Sequence, residues 1–193
     1  MSHEPGLPLG IGLIGVGHHG SRYAKHLLQD LPEALLAAVS RRRTAGGNGL
    51  ASAPAVPYYP DYHELIADPR VAAVVVVPPP ALNREICLAV VQAQKALLVE
   101  KPLAISATDA RAIAQAAQRS GQIMMTAHTL RFDAAVGVLW ERQAQIGALQ
   151  YLSLASRMEP HGMSEDGRGF GGRGCLRHML AHQRRVVRHH AGI

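Results

Sequence analysis

A glycine-rich loop, Gly-Val-Gly-His-His-Gly at residues 15–20, stands between an apolar run and a segment with helical spacing. Residues 9–16 are typical of a buried parallel strand, and residues 20–31 carry apolar side chains three and four positions apart. In such a strand–turn–helix unit the first glycine permits a tight turn, the second lets backbone approach a pyrophosphate, and the third lets helix pack on strand. The loop therefore predicts a dinucleotide site, with a purely structural turn as the alternative.

Strand-like and helix-like segments alternate along the rest of residues 1–127. The predicted strands are residues 9–16, 35–40, 72–77, 96–99 and 123–126, and the predicted helices are residues 20–31, 61–67, 83–93 and 107–120. Because the strands are continuous apolar runs, they indicate a parallel sheet that is covered on both faces and joined by right-handed crossovers. The prediction is an α/β doubly wound (Rossmann) fold, with Ser106 or Thr108 capping the last helix.

The end of the second predicted strand bears on the choice of dinucleotide. About 20 residues after the loop, an NAD site usually has an acidic residue that accepts from the ribose 2′-hydroxyl. This chain has Ser40, Arg41 and Arg42 there. Guanidinium groups grip phosphate with paired donors, so the pattern favours NADP over NAD, and a solvated basic loop is the alternative.

Several further segments are similar to the glucose–fructose oxidoreductase / inositol dehydrogenase (Gfo/Idh/MocA) family. They are the Tyr-Pro-Asp-Tyr-His-Glu-Leu segment at residues 59–65, the stretch from 71 to 103 that ends in Glu-Lys-Pro-Leu, and His-Thr-Leu-Arg-Phe at residues 128–132. The resemblance runs through most of residues 9–157. It implies an NAD(P)-dependent oxidoreductase that transfers hydride to or from a sugar, cyclitol or related hydroxyl compound.

The resemblance also implies roles for particular residues. Lys101 is the expected catalytic residue, which hydrogen-bonds the reacting oxygen and relays its proton. Glu100 is expected to orient that ammonium or the nicotinamide ribose, and Pro102 to fix the turn by a cis peptide bond. The candidate cofactor-binding residues are Gly15, Gly17, His18, His19, Gly20, Ser40, Arg41, Arg42, Pro79, Asn83, Glu100 and Lys101.

The proline turn departs from the family pattern. Pro78 stands where relatives usually have Thr or Asn, and it offers the cofactor neither a side-chain donor nor a backbone N–H. Asn83 stands where relatives usually have His, so it can hydrogen-bond but cannot titrate. His128 and Arg131 are candidates for contact with substrate, and a structural role for each is an equal alternative.

The end of the chain has a different composition from the rest. Residues 1–167 carry 14 basic and 14 acidic side chains, whereas residues 168–193 carry six arginines and no acid, which accounts for the whole net charge of +6. Residues 128–167 read as the start of an α+β second domain, with a helix at 133–146 and a strand at 149–156. The tail suggests a frameshifted or truncated product, and a natural basic tail or a zinc site from Cys175, His178 and His182 are less favoured alternatives.

These features define the expected partners. The sequence predicts a sugar-like small-molecule substrate, no metal, no nucleic acid and no membrane contact, and it leaves a homo-oligomer open. Two cysteines and no signal peptide predict a cytoplasmic setting. An alternative to an active enzyme is a cofactor-binding module with little turnover, because only 66 residues after Ala127 remain to form a substrate domain.

Overall fold

The computed structural model describes residues 8–41 and 56–148, and these residues contain six strands and five α-helices. The strands are β1 (Leu9–Ile14), β2 (Ala34–Ser40), β3 (Tyr58–Tyr59), β4 (Ala73–Val76), β5 (Ala96–Val99) and β6 (Met124–Thr126). The α-helices are α1 (His18–Gln29), α2 (Tyr62–Ala67), α3 (Asn83–Gln92), α4 (Ala107–Ser120) and α5 (Ala134–Arg142), and 3₁₀ turns cover Pro80–Leu82, Thr129–Phe132 and Gln143–Ile146.

The strands form one parallel sheet in the order β3-β2-β1-β4-β5-β6. Every residue of β1, β4 and β5 is buried, as expected for central strands covered on both faces. This order is that of the dinucleotide-binding doubly wound fold, in which the winding reverses direction between β1 and β4. The α/β Rossmann prediction is therefore confirmed.

Apolar side chains pack on both faces of the sheet. Tyr23, Ala24 and Leu27 of α1 pack in one cluster with side chains from β1, β2 and β5. The other cluster holds buried side chains of α2, α3 and α4, including Ile113. Cys87 of α3 lies in this second cluster, where burial raises the pKa of its thiol to about 12, so it acts as a packed apolar side chain.

Local signals set the ends of two elements that bear on the site. The sequence predicted that the first strand continues through residue 16, but β1 ends at Ile14 because Gly15 turns out of the strand with φ +91°. Helix α4 starts and ends as predicted. The Ser106 hydroxyl accepts from the Asp109 backbone N–H at 3.0 Å, and Gly121 ends the helix in the left-handed conformation.

The short strand β3 was not predicted. It pairs with the end of β2 and leads to a buried carboxylate, Asp68, at the C-terminus of α2. Tyr59 donates its hydroxyl to Asp68, and Arg70 donates to it from its backbone N–H and its guanidinium. The Arg70 side-chain bonds, more than any other contact, hold the pKa of Asp68 at about 2.

The structure describes only the start of the region after β6. The helix predicted at residues 133–146 is α5 followed by a 3₁₀ turn. The strand predicted at residues 149–156 and the tail at 168–193, with Cys175, His178 and His182, lie outside the described residues. Across the described ranges, no helix has both the length and the apolar character needed to cross a membrane.

Candidate functional site

The predicted site residues follow the strands at the carboxyl edge of the sheet. Because the strands are parallel, the segments after β1, β2, β4, β5 and β6 meet at this edge. They carry the glycine loop, Ser40–Arg41, the proline turn, Glu100–Lys101 and His128. Arg42 lies outside the described residues.

Backbone hydrogen bonds join these segments across the edge. Gly15 N donates to Ser40 O at 2.9 Å, and Val77 N donates to Ile14 O at 2.8 Å. Farther along the edge, Glu100 N donates to Val76 O and Ala127 N donates to Val99 O, both at 2.9 Å. The loop after β1 is therefore held between β2 and β4, which is where open α/β sheets of this kind bind their ligands.

The three glycines of the loop stand in different surroundings. A Cβ on Gly15 would lie 2.7 Å from the backbone C and O of Val77, and a Cβ on Gly20 would lie 1.9 Å from Gly15 O. These two positions exclude any side chain for reasons internal to the fold. A Cβ on Gly17 would meet no atom within 4 Å, so the space beside this glycine is open.

The N-terminus of helix α1 borders the open space beside Gly17. Gly17 is its N-cap and supplies no side-chain acceptor, and the first turn carries no acidic residue. The N-terminal N–H groups of a helix attract anions through their partial positive charge. His18 and His19 are exposed in this turn, and their rings meet edge to face with centroids 5.6 Å apart.

The end of β2 has no carboxylate of its own. Ser40 is buried at the last position of the strand, and Arg41 follows it, half-buried. The hydroxyl of Tyr58 in β3 donates to the backbone oxygen of Arg41 at 2.7 Å and so ties down the start of this loop. The position that usually separates NAD from NADP sites is thus occupied by a small hydroxyl followed by a guanidinium.

The proline turn after β4 is linked to the segment after β5. Pro79 is exposed, whereas Asn83 at the start of α3 is only 2% exposed. The Asn83 amide nitrogen donates to Pro102 O at 3.1 Å and to Leu103 O at 3.2 Å. Asn83, for which the sequence predicted a cofactor contact, therefore braces the turn that carries Lys101, and its Oδ1 is buried without a partner among the described residues.

Glu100 and Lys101 form the turn after β5. Lys101 is exposed, and the peptide bond between it and Pro102 is cis, as the resemblance implied. Glu100 Oε2 accepts from the Lys101 backbone N–H at 2.9 Å, and Glu100 Oε1 accepts from the hydroxyl of Tyr23 at 3.0 Å. The Glu100 carboxylate thus connects the turn to helix α1.

The candidate substrate residues His128 and Arg131 follow β6, next to the Lys101 turn. Both are exposed, and Arg131 N donates to His128 O at 3.1 Å within a 3₁₀ turn. Within the described ranges, no three His, Cys, Asp or Glu side chains are grouped closely enough to hold a metal ion.

Tyr23 is the site residue that the sequence did not indicate. Its position in the apolar stripe of α1 predicted a core side chain, and it is 3% exposed. The available signal was its hydroxyl, because a buried tyrosine usually needs a hydrogen-bond partner. Its partner, Glu100, lies 77 residues away in the chain, so only the fold reveals the pairing.

Residues 9–128 match the family described as an oxidoreductase family with an NAD-binding Rossmann fold. Similar proteins include an inositol 2-dehydrogenase of Rubrobacter xylanophilus, 31% identical over 64% of this chain and 35% of that protein. A myo-inositol 2-dehydrogenase of Thermotoga maritima is 31% identical over 76% of this chain and 45% of that protein. An NAD binding oxidoreductase from Klebsiella pneumoniae has a TM-score of 0.64 and 31% identity over 72% of this chain and 39% of its own. The chain therefore spans less than half the length of these relatives.

Proposed function

The chain belongs to the Gfo/Idh/MocA oxidoreductase family with the NAD-binding Rossmann fold, and from this premise we propose that it binds a nicotinamide dinucleotide across the carboxyl edge of its sheet. The proposed reaction is hydride transfer between that cofactor and a carbon bearing a hydroxyl group. Cyclitols and sugars are the proposed substrate class, since relatives similar over the Rossmann domain are inositol dehydrogenases.

The observation that carries the proposal is the open space beside Gly17. Gly15 and Gly20 lack side chains because backbone atoms already occupy the space where a Cβ would stand. No contact within the described residues imposes the same requirement on Gly17. A pyrophosphate seated there would meet the N-terminus of α1, whose dipole favours negative charge, so the residues fit the phosphates of a dinucleotide.

Arg41 carries the finer proposal that NADP binds more tightly than NAD. It follows β2 where an acidic side chain would repel a 2′-phosphate, and its guanidinium can offer paired donors to that group. We expect Arg41→Ala to weaken NADP binding several-fold more than NAD binding in calorimetric titrations. Arg119→Ala, which removes an exposed arginine near the end of α4, is the control for general surface charge. Equal losses for both cofactors in Arg41→Ala would contradict the preference.

Lys101 is the residue proposed to manage the proton. The bound nicotinamide would supply the chemistry of accepting or giving a hydride. Lys101 is exposed on the turn after β5, and β5 lies beside β4 in the sheet. Its ammonium would donate a hydrogen bond to the reacting oxygen and carry the proton of that oxygen to solvent. Asn83 and Glu100 hold the backbone of this turn from its two sides.

The catalytic proposal is tested with a panel of cyclitols and sugars, with NADP and NAD, by following absorbance of the reduced nicotinamide. We expect Lys101→Ala to lower kcat/KM about 100-fold or more, because general acid–base groups contribute on that scale. Lys25→Ala, which removes an exposed lysine of α1, should leave the rate unchanged. A Lys101→Ala rate equal to that of the unmodified chain would contradict the role.

A cofactor-binding module with little turnover is the second candidate function. It is favoured by the exposure of Lys101, His128 and Arg131, since no described residue encloses the space in front of them. Hydride transfer needs close approach, and a displacement of about 1 Å can cost about 100-fold in rate. Turnover absent from both the unmodified chain and Lys101→Ala, with cofactor still bound, would favour this module.

A further inference from the structure

Tyr23 connects the helix behind the glycine loop to the turn that carries Lys101. Its hydroxyl donates to Glu100 Oε1 at 3.0 Å, and its side chain is 3% exposed. Glu100 Oε2 accepts from the Lys101 backbone N–H at 2.9 Å. The Glu100 carboxylate therefore accepts one hydrogen bond from helix α1 and one from the turn that carries Lys101.

Hydrogen bonds hold both the backbone and the side chain of Glu100. Its backbone N–H donates to Val76 O at 2.9 Å, which anchors the residue to the edge of β4. Its side chain has three rotatable bonds, so without a partner for Oε1 it would have freedom to turn toward solvent. A charge-assisted bond from a buried phenol is stronger than a neutral one, and it restricts that freedom.

We propose that Tyr23 is a positioning residue, which holds Glu100 on the Lys101 backbone and so keeps the Lys101 ammonium directed to a cofactor bound at the glycine loop. This inference rests on the proposed function, because it assumes a dinucleotide at the loop and Lys101 beside it. A Glu100 carboxylate released from Tyr23 would be free to pair with the adjacent Lys101 ammonium. That pairing would draw the amine away from the nicotinamide.

The chain offers a simple readout of this arrangement, since it has three lysines, Lys25, Lys95 and Lys101. Lys25 is exposed on α1. Lys95 precedes β5, at the opposite end of that strand from Lys101, and donates to Asp68 O at 2.7 Å. An amine-acylating ester labels each lysine at a rate that peptide mass spectrometry can measure. A cofactor in contact with Lys101 should slow the labelling of this lysine alone.

The experiment compares labelling rates with and without saturating NAD or NADP for the unmodified chain and two variants. Saturation is set for each protein by its own titration. Tyr23→Phe removes only the buried hydroxyl. Tyr62→Phe is the matched control, because it also removes a tyrosine–glutamate hydrogen bond, the one to Glu85, but on α2 and α3. Glu100→Gln is a second test variant, since its amide has one acceptor oxygen for two donors.

We expect cofactor to slow Lys101 labelling several-fold in the unmodified chain and in Tyr62→Phe. In Tyr23→Phe and Glu100→Gln we expect the cofactor still to bind but no longer to slow the labelling of Lys101. Full protection of Lys101 in Tyr23→Phe would overturn the positioning role and leave the proposed function standing. Cofactor that binds the unmodified chain without protecting Lys101 would overturn the proposed role of Lys101 and this inference. Cofactor that fails to bind the unmodified chain would overturn the proposed function as well.

Discussion

At the scale of single residues, the glycine loop separates requirements of the fold from requirements of a ligand. Gly15 needs its left-handed backbone and a close approach to Val77, and Gly20 needs a close approach to Gly15. Neither argument applies to Gly17, whose φ of −83° suits any residue. The same motif thus contains two positions fixed by packing and one, Gly17, whose open space fits the proposed phosphate.

Asp68 makes the most specific prediction about pH. Its pKa falls from 3.8 to about 2, chiefly through the side-chain bonds from Arg70. A carboxyl whose pKa is lower in the folded protein stabilises that state above its unfolded pKa, and the contribution is lost as pH falls toward the folded pKa. We expect Asp68→Asn to remove part of the loss in Tm that the unmodified chain shows between pH of about 4 and 2.

Arg70→Gln should give a similar flattening, because it removes the guanidinium that lowers the Asp68 pKa. Both variants should also be less stable than the unmodified chain at neutral pH, since each removes hydrogen bonds to the charged Asp68 carboxylate. An acid limb of the Tm curve that keeps its full slope in Asp68→Asn would show that this carboxylate does not drive the acid response.

At the scale of elements, the cap of α4 resolves an alternative that the sequence left open. Ser106 and Thr108 were both candidate caps, and the structure assigns the role to Ser106, whose hydroxyl contacts the Asp109 N–H. We expect Ser106→Ala to lower the free energy of unfolding by about 1 kcal/mol, the usual effect of losing an N-cap. Thr108→Ala should change it by less than about 0.5 kcal/mol, as at other surface positions.

Denaturant titrations that follow helical circular dichroism would measure both changes. The Ser106 hydroxyl also donates to Asp109 Oδ2 at 2.8 Å, and the same carboxylate pairs with Arg84 of α3 at 3.0 Å, so Arg84→Ala serves as the second reference. A Thr108→Ala loss equal to that of Ser106→Ala would contradict the cap assignment.

The elements that the sequence predicted are those with local signals. Buried parallel strands such as β4 and β5 are continuous apolar runs, and α4 has a hydroxyl at one end and a glycine at the other. Strand β3 has only two residues, too few to give a periodic pattern in the sequence, and it is defined by its pairing with the end of β2. The pairings of Tyr23 with Glu100 and of Asn83 with Pro102 were missed because they join residues distant in the chain.

At the scale of the whole molecule, the order of the strands decides where a ligand can sit. The chain runs outward from β1 to β2 and β3, then returns to β4 and continues through β5 and β6 on the other side. The crevice left by this reversal lies at the carboxyl ends of β1 and β4, beside Gly17. Cofactor binding is therefore expected to depend on the folding of the described sheet as a whole.

The most direct test of cofactor binding at this crevice is the thermal unfolding of the chain with NAD or NADP at about 100 times its Kd. Binding to the folded state alone should add about 2.7 kcal/mol, or a rise in Tm of about 5–10 °C for a domain of this size. Gly17→Ala should lose the rise, because its Cβ would enter the open space, while the free protein loses at most about 1 kcal/mol at the N-cap. Gly137→Ala, a glycine of α5 whose Cβ would also meet no atom within 4 Å, should keep it. A rise of the same size in all three proteins, or in none of them, would contradict binding at the glycine loop.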